Sequence, residues 1–125
     1  MQQKPRARAL GLPFPGTTGP FNAITDVSGV RVGFVTLTDP SKKMRTGVTA
    51  ILPREEKGSP QPVWAGFFSL NGNGEMTGVH WVNDAGYFLG PVLITNTHGI
   101  GACHHGATEW MIETYDTHFR DEYAW

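Results

Sequence analysis

Val30, Val32 and Phe34 alternate with Arg31 and Gly33, the two-residue period of a strand with one buried face. Asp39-Pro40-Ser41-Lys42-Lys43 follows as a polar turn. Thr46 to Leu52 is a β-branched run stopped by Pro53, which predicts a buried strand. Residues 54–62 carry Glu55, Glu56, Lys57, Gly58 and Pro60 and predict an exposed loop. Pro62 to Leu70 is apolar and aromatic and predicts a third strand. Asn71-Gly72-Asn73-Gly74 ends it, because two Asn-Gly pairs favour positive φ and a sharp turn. Val79-His80-Trp81-Val82 fits either a returning strand or the start of a short helix, and Asn83-Asp84-Ala85-Gly86 a further turn. Gly90 to Asn96 predicts a buried strand. After Thr97-His98-Gly99 the period changes. Ala107, Trp110, Met111, Tyr115 and Phe119 recur at intervals of three to five, one apolar stripe on a helix from roughly Gly101 to Phe119. Ahead of these elements, residues 1–10 read as a flexible basic lead-in with Lys4, Arg6 and Arg8. Gly11 to Pro20 reads as an extended, turning arm, since proline fixes φ and glycine frees it.

Strands interleaved with a helix give an α/β class, and sixteen glycines with nine prolines supply the tight turns it needs. With 125 residues the chain is one domain or part of one. Ten basic residues face eleven acidic ones. Nucleic-acid binding needs a concentrated basic surface and is not expected. Glu109, Glu113, Asp116, Asp121 and Glu122 set against Arg120 read as a solvated helix face. Cys103 is the single cysteine, so no internal disulfide can form. No apolar run approaches the ~20 residues that span a bilayer, and no apolar segment follows the basic start. A cytoplasmic setting without membrane contact is expected, with the periplasm left open. Trp125 is a large aromatic at the last position, where polar residues are usual. The expectation is a chain that is cut, not finished.

Two segments invite chemistry. In Asn71-Gly72-Asn73-Gly74-Glu75 the glycines allow close backbone approach, and the amides both donate and accept. Gly78 falls one residue too late for the dinucleotide fingerprint, and a plain strand connection is the alternative. Asn96-Thr97-His98-Gly99 ends a strand and opens a helix, where unpaired N–H groups favour an anion or developing oxyanion. Ordinary capping by Asn96 or Thr97 is the alternative there. Asn71, Asn73, Glu75, Asn96 and His98 are therefore the candidate substrate-pocket residues. His98, His104 and His105, with Cys103 and His80, suggest a metal. Adjacent helical positions diverge by about 100°, however, so no metal site is expected. No other cofactor is expected either. Ser28, Ser41, Ser59 and Ser69 lie in turns or strands and outside any Gly-x-Ser-x-Gly elbow, so no triad can be assembled.

Five blocks in order resemble one family. They are Leu12 to Val27, Gly29 to Gly33, Arg45 to Pro53, Phe68 to Gly78 and Gly90 to His98. Together they look like the amino-terminal part of the L-aminopeptidase/D-esterase and β-aminopeptidase family. The likeness runs from residue 11 to 125, which makes that span the N-terminal portion of a single aminopeptidase domain. The resemblance implies part of a four-layer αββα sandwich, similar to N-terminal-nucleophile hydrolases but differently connected. It implies a precursor that cleaves itself before a serine, whose hydroxyl then attacks peptides, aminoacyl amides or esters. It also implies a homo-oligomer when full length. Family members are about three times longer, and their nucleophile lies in a later segment. This chain is therefore expected to be inactive alone, with no catalytic residue of its own. A family glutamate that contacts the substrate amine lies in a Val-Val-Ala-Glu-Thr-Tyr-Asp-Gly-like stretch. Glu113-Thr114-Tyr115-Asp116 matches four letters of it, but lies within the expected helix and has Thr117 in place of the glycine. It is read as a decoy. A stand-alone ligand- or partner-binding domain, and a fragment of an ornithine acetyltransferase-like acyltransferase, are the alternatives.

Overall fold

The computed structural model describes residues 4–54, 59–72 and 74–121. Its best-defined unit is a hairpin. Strands β1 (Arg31–Asp39) and β2 (Met44–Leu52) pair antiparallel from Arg31↔Leu52 to Asp39↔Met44. The turn between them is built by Asp39. Its carboxylate accepts from Ser41 N at 3.0 Å, Ser41 Oγ at 2.6 Å and Lys42 N at 3.4 Å. Lys43 then adopts φ 52° to bring the chain back.

A two-stranded ribbon follows, with β3 (Val63–Trp64) against β4 (Tyr87–Phe88). Helix α1 (Val79–Ala85) lies between these two strands in sequence and closes at Gly86, φ 75°. Strand β5 (Val92–Thr95) then joins β2 antiparallel, giving the order β1-β2-β5. After a single 3-10 turn at Thr97–Gly99, helix α2 (Ile100–Thr114) packs on β5, and α3 (Asp116–Asp121) follows.

Register assigns the faces, because side chains alternate along a strand. Leu37, Val48, Leu93 and Thr95 share the face towards α2, which lines one cleft with it. Val32, Phe34, Ile51 and Ile94 share the other. Neither face is closed. Among the described residues Val82 (7% exposed) and Tyr115 (4%) are buried, as is Pro60, whereas Phe34 is 75% exposed.

The expected mixture of strands and helix is present, and both sheets are antiparallel. Several elements differ from the sequence reading. Val32 and Phe34 stand on a strand exposed on both faces, not half buried. The third strand shrinks from Pro62–Leu70 to Val63–Trp64. Beyond Trp64, Ala65 N donates to Gly86 O at 2.8 Å and the pairing ends among the described residues, with Trp64, Phe68 and Leu70 standing 83%, 83% and 87% exposed. Asn83 to Ala85 belong to α1, so the turn is Gly86 alone. The long helix breaks at Tyr115 (φ −121°, ψ 33°), which turns its ring inward edge-on to Trp110 at 5.6 Å. Glu113 and Thr114 lie at the end of α2 and Asp116 opens α3, so the four-letter match, expected within one helix, straddles the break at Tyr115.

Within the basic lead-in, Ala7–Leu10 form one 3-10 turn. Arg6 donates to Phe21 O at 2.9 Å and to Asn22 O, and Arg8 to Phe14 O and Pro15 O, both at 3.1 Å. The arm is thus folded upon itself.

Candidate functional site

Two clefts flank the α2–β5 contact. The first, about 590 Å³, lies between α2 and the sheet and is lined by Leu37, Val48, Leu93, Cys103 and Trp110 among others. The second, about 660 Å³, lies among the Gly74–Gly78 loop, α1, β4, β5 and α2. The loop enters it through two glycines with positive φ, Gly74 at 123° and Gly78 at 89°. Of the Asn71–Gly74 segment, Gly74 has the expected positive φ, Asn73 lies outside the described residues, and the buried strand expected to lead into it ends earlier, at Trp64.

The five candidate residues separate. Glu75 is exposed and lines the second cleft. Asn71 is exposed, and its carbonyl accepts from Ser69 Oγ at 3.0 Å. Asn73 lies outside the described residues. Asn96 borders the first cleft, with its side chain committed to the chain itself. Its Oδ1 accepts from His98 N at 3.0 Å and Gly99 N at 3.1 Å, and its Nδ2 donates to Thr46 Oγ1 at 2.6 Å. Of the two readings of this junction, the geometry supports capping, with Asn96 as the cap. His98 is exposed and borders neither cleft. The neighbouring Thr97 does line the second cleft.

Of the cysteine and histidines of α2, His105 points away from the other two. Cys103 faces both clefts and His104 the second, while His105 turns to Glu109, Nε2 to Oε1 3.3 Å. Among the described residues no group of three or more His, Cys, Asp or Glu is close enough to hold a metal ion. Several hydroxyls are engaged in structure. Thr95 donates to Gly47 O at 2.9 Å, Thr108 to His104 O at 2.9 Å, and Ser41 to Asp39.

The apolar wall of the second cleft was missed by sequence reading. It comes from Met76, Trp81, Phe88 and Ile100. A signal existed on α2. Ile100, Cys103, His104 and Ala107 follow the three-and-four spacing of one helical face, and all four line this cleft.

The sequence matches peptidase family S58 over residues 22–124. The chain belongs to that family. It is 49% identical over 116 residues to the β-peptidyl aminopeptidase BapA of Sphingosinicella microcystinivorans, covering 87% of this chain and 29% of that protein. With the BapA of Sphingosinicella xenopeptidilytica the identity is 46% over 115 residues, covering 86% and 28%. In three dimensions it is similar to the L-aminopeptidase D-Ala-esterase/amidase of Ochrobactrum anthropi, described as a prototype serine aminopeptidase and a new variant of the Ntn-hydrolase fold. The TM-score is 0.85 at 57% identity, over 98% of this chain and 36% of that one. The PH0078 protein of Pyrococcus horikoshii OT3 matches at TM-score 0.77 and 37% identity, over 88% and 33%. This S58 chain therefore spans about three tenths of the length of the curated relatives it matches. Its three-stranded sheet and helices have the architecture of the corresponding part of that Ntn variant.

Proposed function

We propose that this chain forms the N-terminal portion of a self-processing serine aminopeptidase. The whole enzyme releases N-terminal residues from peptides, amides or esters and works as a homo-oligomer. The likeness to the Ochrobactrum anthropi enzyme, 57% identical at TM-score 0.85 over nearly the whole chain, carries this reading. The open sheet adds to it, since both faces offer apolar side chains for further layers to cover. On this reading residues 11–125 are one portion of a single domain, and a later segment supplies the serine nucleophile. Attack by its hydroxyl would form an acyl-enzyme that water then releases, with oxyanion donors stabilising the tetrahedral intermediate. The loop bearing Asn71, Asn73 and Glu75 would border the substrate, and Asn96 and His98 would hold the strand-to-helix junction beside it.

The test begins with the DNA beyond codon 125. An open frame that continues to a Gly-Ser or Asn-Ser processing site is expected. The intact product should purify as two polypeptides by mass spectrometry and release p-nitroaniline from aminoacyl p-nitroanilides. Replacing the processed serine by alanine should abolish both. A frame that stops at Trp125, or an intact protein that stays uncut and silent towards a broad aminoacyl panel, would refute the proposal.

A further inference from the structure

The faces of a sheet and its edges have different needs. A helix or a second sheet can cover a face, but the backbone groups along an edge are best satisfied by another strand. Among the described residues β5 leaves a short edge of four residues, whereas β1 is nine residues long and pairs on one side only. Exposed edges are ordinarily protected by a bulge, a proline, a lysine or an inward-pointing charge. β1 uses none of these along its length. Its pairing with β2 runs unbroken from Arg31 to Asp39, and Val32 to Thr38 include no charge and no proline. Phe34 and Val35 stand 75% and 62% exposed. Such an edge is suited to pairing.

The order of residues along β1 favours one occupant. A second β1 laid antiparallel overlaps all nine residues in a single register, with Val35 opposite Val35 on a two-fold axis perpendicular to the sheet. In that register Arg31 faces Asp39 of the second copy, at both ends of the pairing. Asp39 uses Oδ1 for its own turn, and exposed Lys42 sits 3.7 Å from Oδ2, a loose pair that a second cation can supplement. Between the ends, Leu37 faces Gly33, bulk against space. Phe34 faces Thr36, an aromatic against a β-branched residue, which is a favourable cross-strand pair. No like charges are opposed.

We propose that β1 pairs with β1 of a second copy of this chain, joining two three-stranded sheets into one continuous sheet of order β5-β2-β1-β1-β2-β5. Both α2 helices then lie on the same side of it. This rests on the homo-oligomer part of the reading above and names the surface that makes the oligomer.

The experiment uses the intact enzyme. Val35→Cys places two thiols opposite each other on the axis, within reach of a disulfide. Mild oxidation should link two copies of the polypeptide that carries β1, seen on a non-reducing gel and lost on reduction. Wild type, with Cys103 on α2, should not link. Neither should Val48→Cys, which is three strand spacings or about 14 Å from its mate. Arg31→Glu sets like charges against each other at both ends, and should raise the dissociation constant measured by sedimentation about tenfold at low salt and less at high salt. Arg31→Lys should leave it near the wild-type value. An oligomeric wild type whose Val35→Cys variant does not link overturns the inference and assigns the edge to another strand of the same chain. An Arg31→Glu enzyme with an unchanged dissociation constant overturns it as well. Both outcomes leave the aminopeptidase reading standing. A monomeric wild type refutes the homo-oligomer reading, and this inference falls with it. A wild type that is uncut and silent towards aminoacyl substrates refutes the aminopeptidase reading, while the Val35→Cys link still decides the interface.

Discussion

Separating residues 1–125 from any further chain should leave a polypeptide that cannot hold a compact state. The structure exposes 10208 Å². The scaling law for folded monomers gives about 6,600 Å² at its mass of 13.7 kDa. The excess is roughly 3,600 Å², and about 57% of a typical surface is apolar, so roughly 2,000 Å² of apolar area stays wet that a monomer of this size would bury. A net stability of 5–15 kcal/mol corresponds to burying only about 200–600 Å² of apolar surface. The deficit is several times larger. Phe34, Val35, Phe68, Leu70 and Ile94 are among the exposed large side chains. The β1 edge adds a nine-residue row of backbone groups open to pairing with another chain. The isolated polypeptide should therefore elute as aggregates, bind a hydrophobic dye and unfold without a cooperative transition. It should also release no p-nitroaniline from aminoacyl substrates. A monodisperse monomer with a sharp melt and no dye binding would refute this reasoning. It would mean that the open sheet faces are stable in water.

Further predictions concern the intact protein. Asn96→Ala should destabilise it by about 1–2 kcal/mol in urea unfolding, because two N–H groups lose their acceptor, and Asn96→Asp should recover most of that. Gly47→Ala should yield little soluble protein, because the added methyl would meet the backbone carbonyl of Val35 within the β1–β2 hairpin. Gly90→Ala should cost about 1–2 kcal/mol from its φ of 82° alone, with Met111 Sδ only 2.5 Å from the new methyl. The Asp39 carboxyl should titrate below its ordinary value of 3.8, chiefly because the Ser41 hydroxyl donates to it, followed by the Lys42 and Ser41 N–H groups. Its folded value is depressed, so its contribution is present above about pH 4 and is lost as pH falls through that lower value. Carboxyl carbon NMR should show the low midpoint in wild type and a return towards 3.8 in Ser41→Ala.

The strands whose partners lie within these residues were legible in the sequence. β2 and β5 hydrogen-bond to each other, and the Asp39 turn and the capped junction at Asn96 use chemistry written into a few adjacent residues. Legibility stopped where an element's environment is set from elsewhere. Pro62 to Leu70 has the composition of a strand, but an apolar run becomes one only when a neighbouring strand accepts its hydrogen bonds, and β4 offers two positions. Tyr115 fits the helical stripe, yet burying its ring breaks the helix, which periodicity cannot anticipate. At the second cleft, the glycine-rich loop drew attention to Glu75, which lines that cleft. Trp81 and Phe88 were missed, because their convergence depends on how α1 and the β3–β4 ribbon fold back, a three-dimensional fact with no local spacing.

The uncovered sheet also has a meaning in time. A relative in which 116 residues are 29% of the length has about 400 in all. At ribosomal rates of ~5–20 residues per second, about 280 further residues need roughly 14–56 s. On the proposed reading, β1, β2 and β5 emerge and wait that long before the layers that cover them exist. Nascent chains on crowded polysomes would meet one another edge to edge during that interval. Synthesis of such an enzyme would then gain from chaperones that hold exposed apolar surface, and slowing translation should lower its soluble yield.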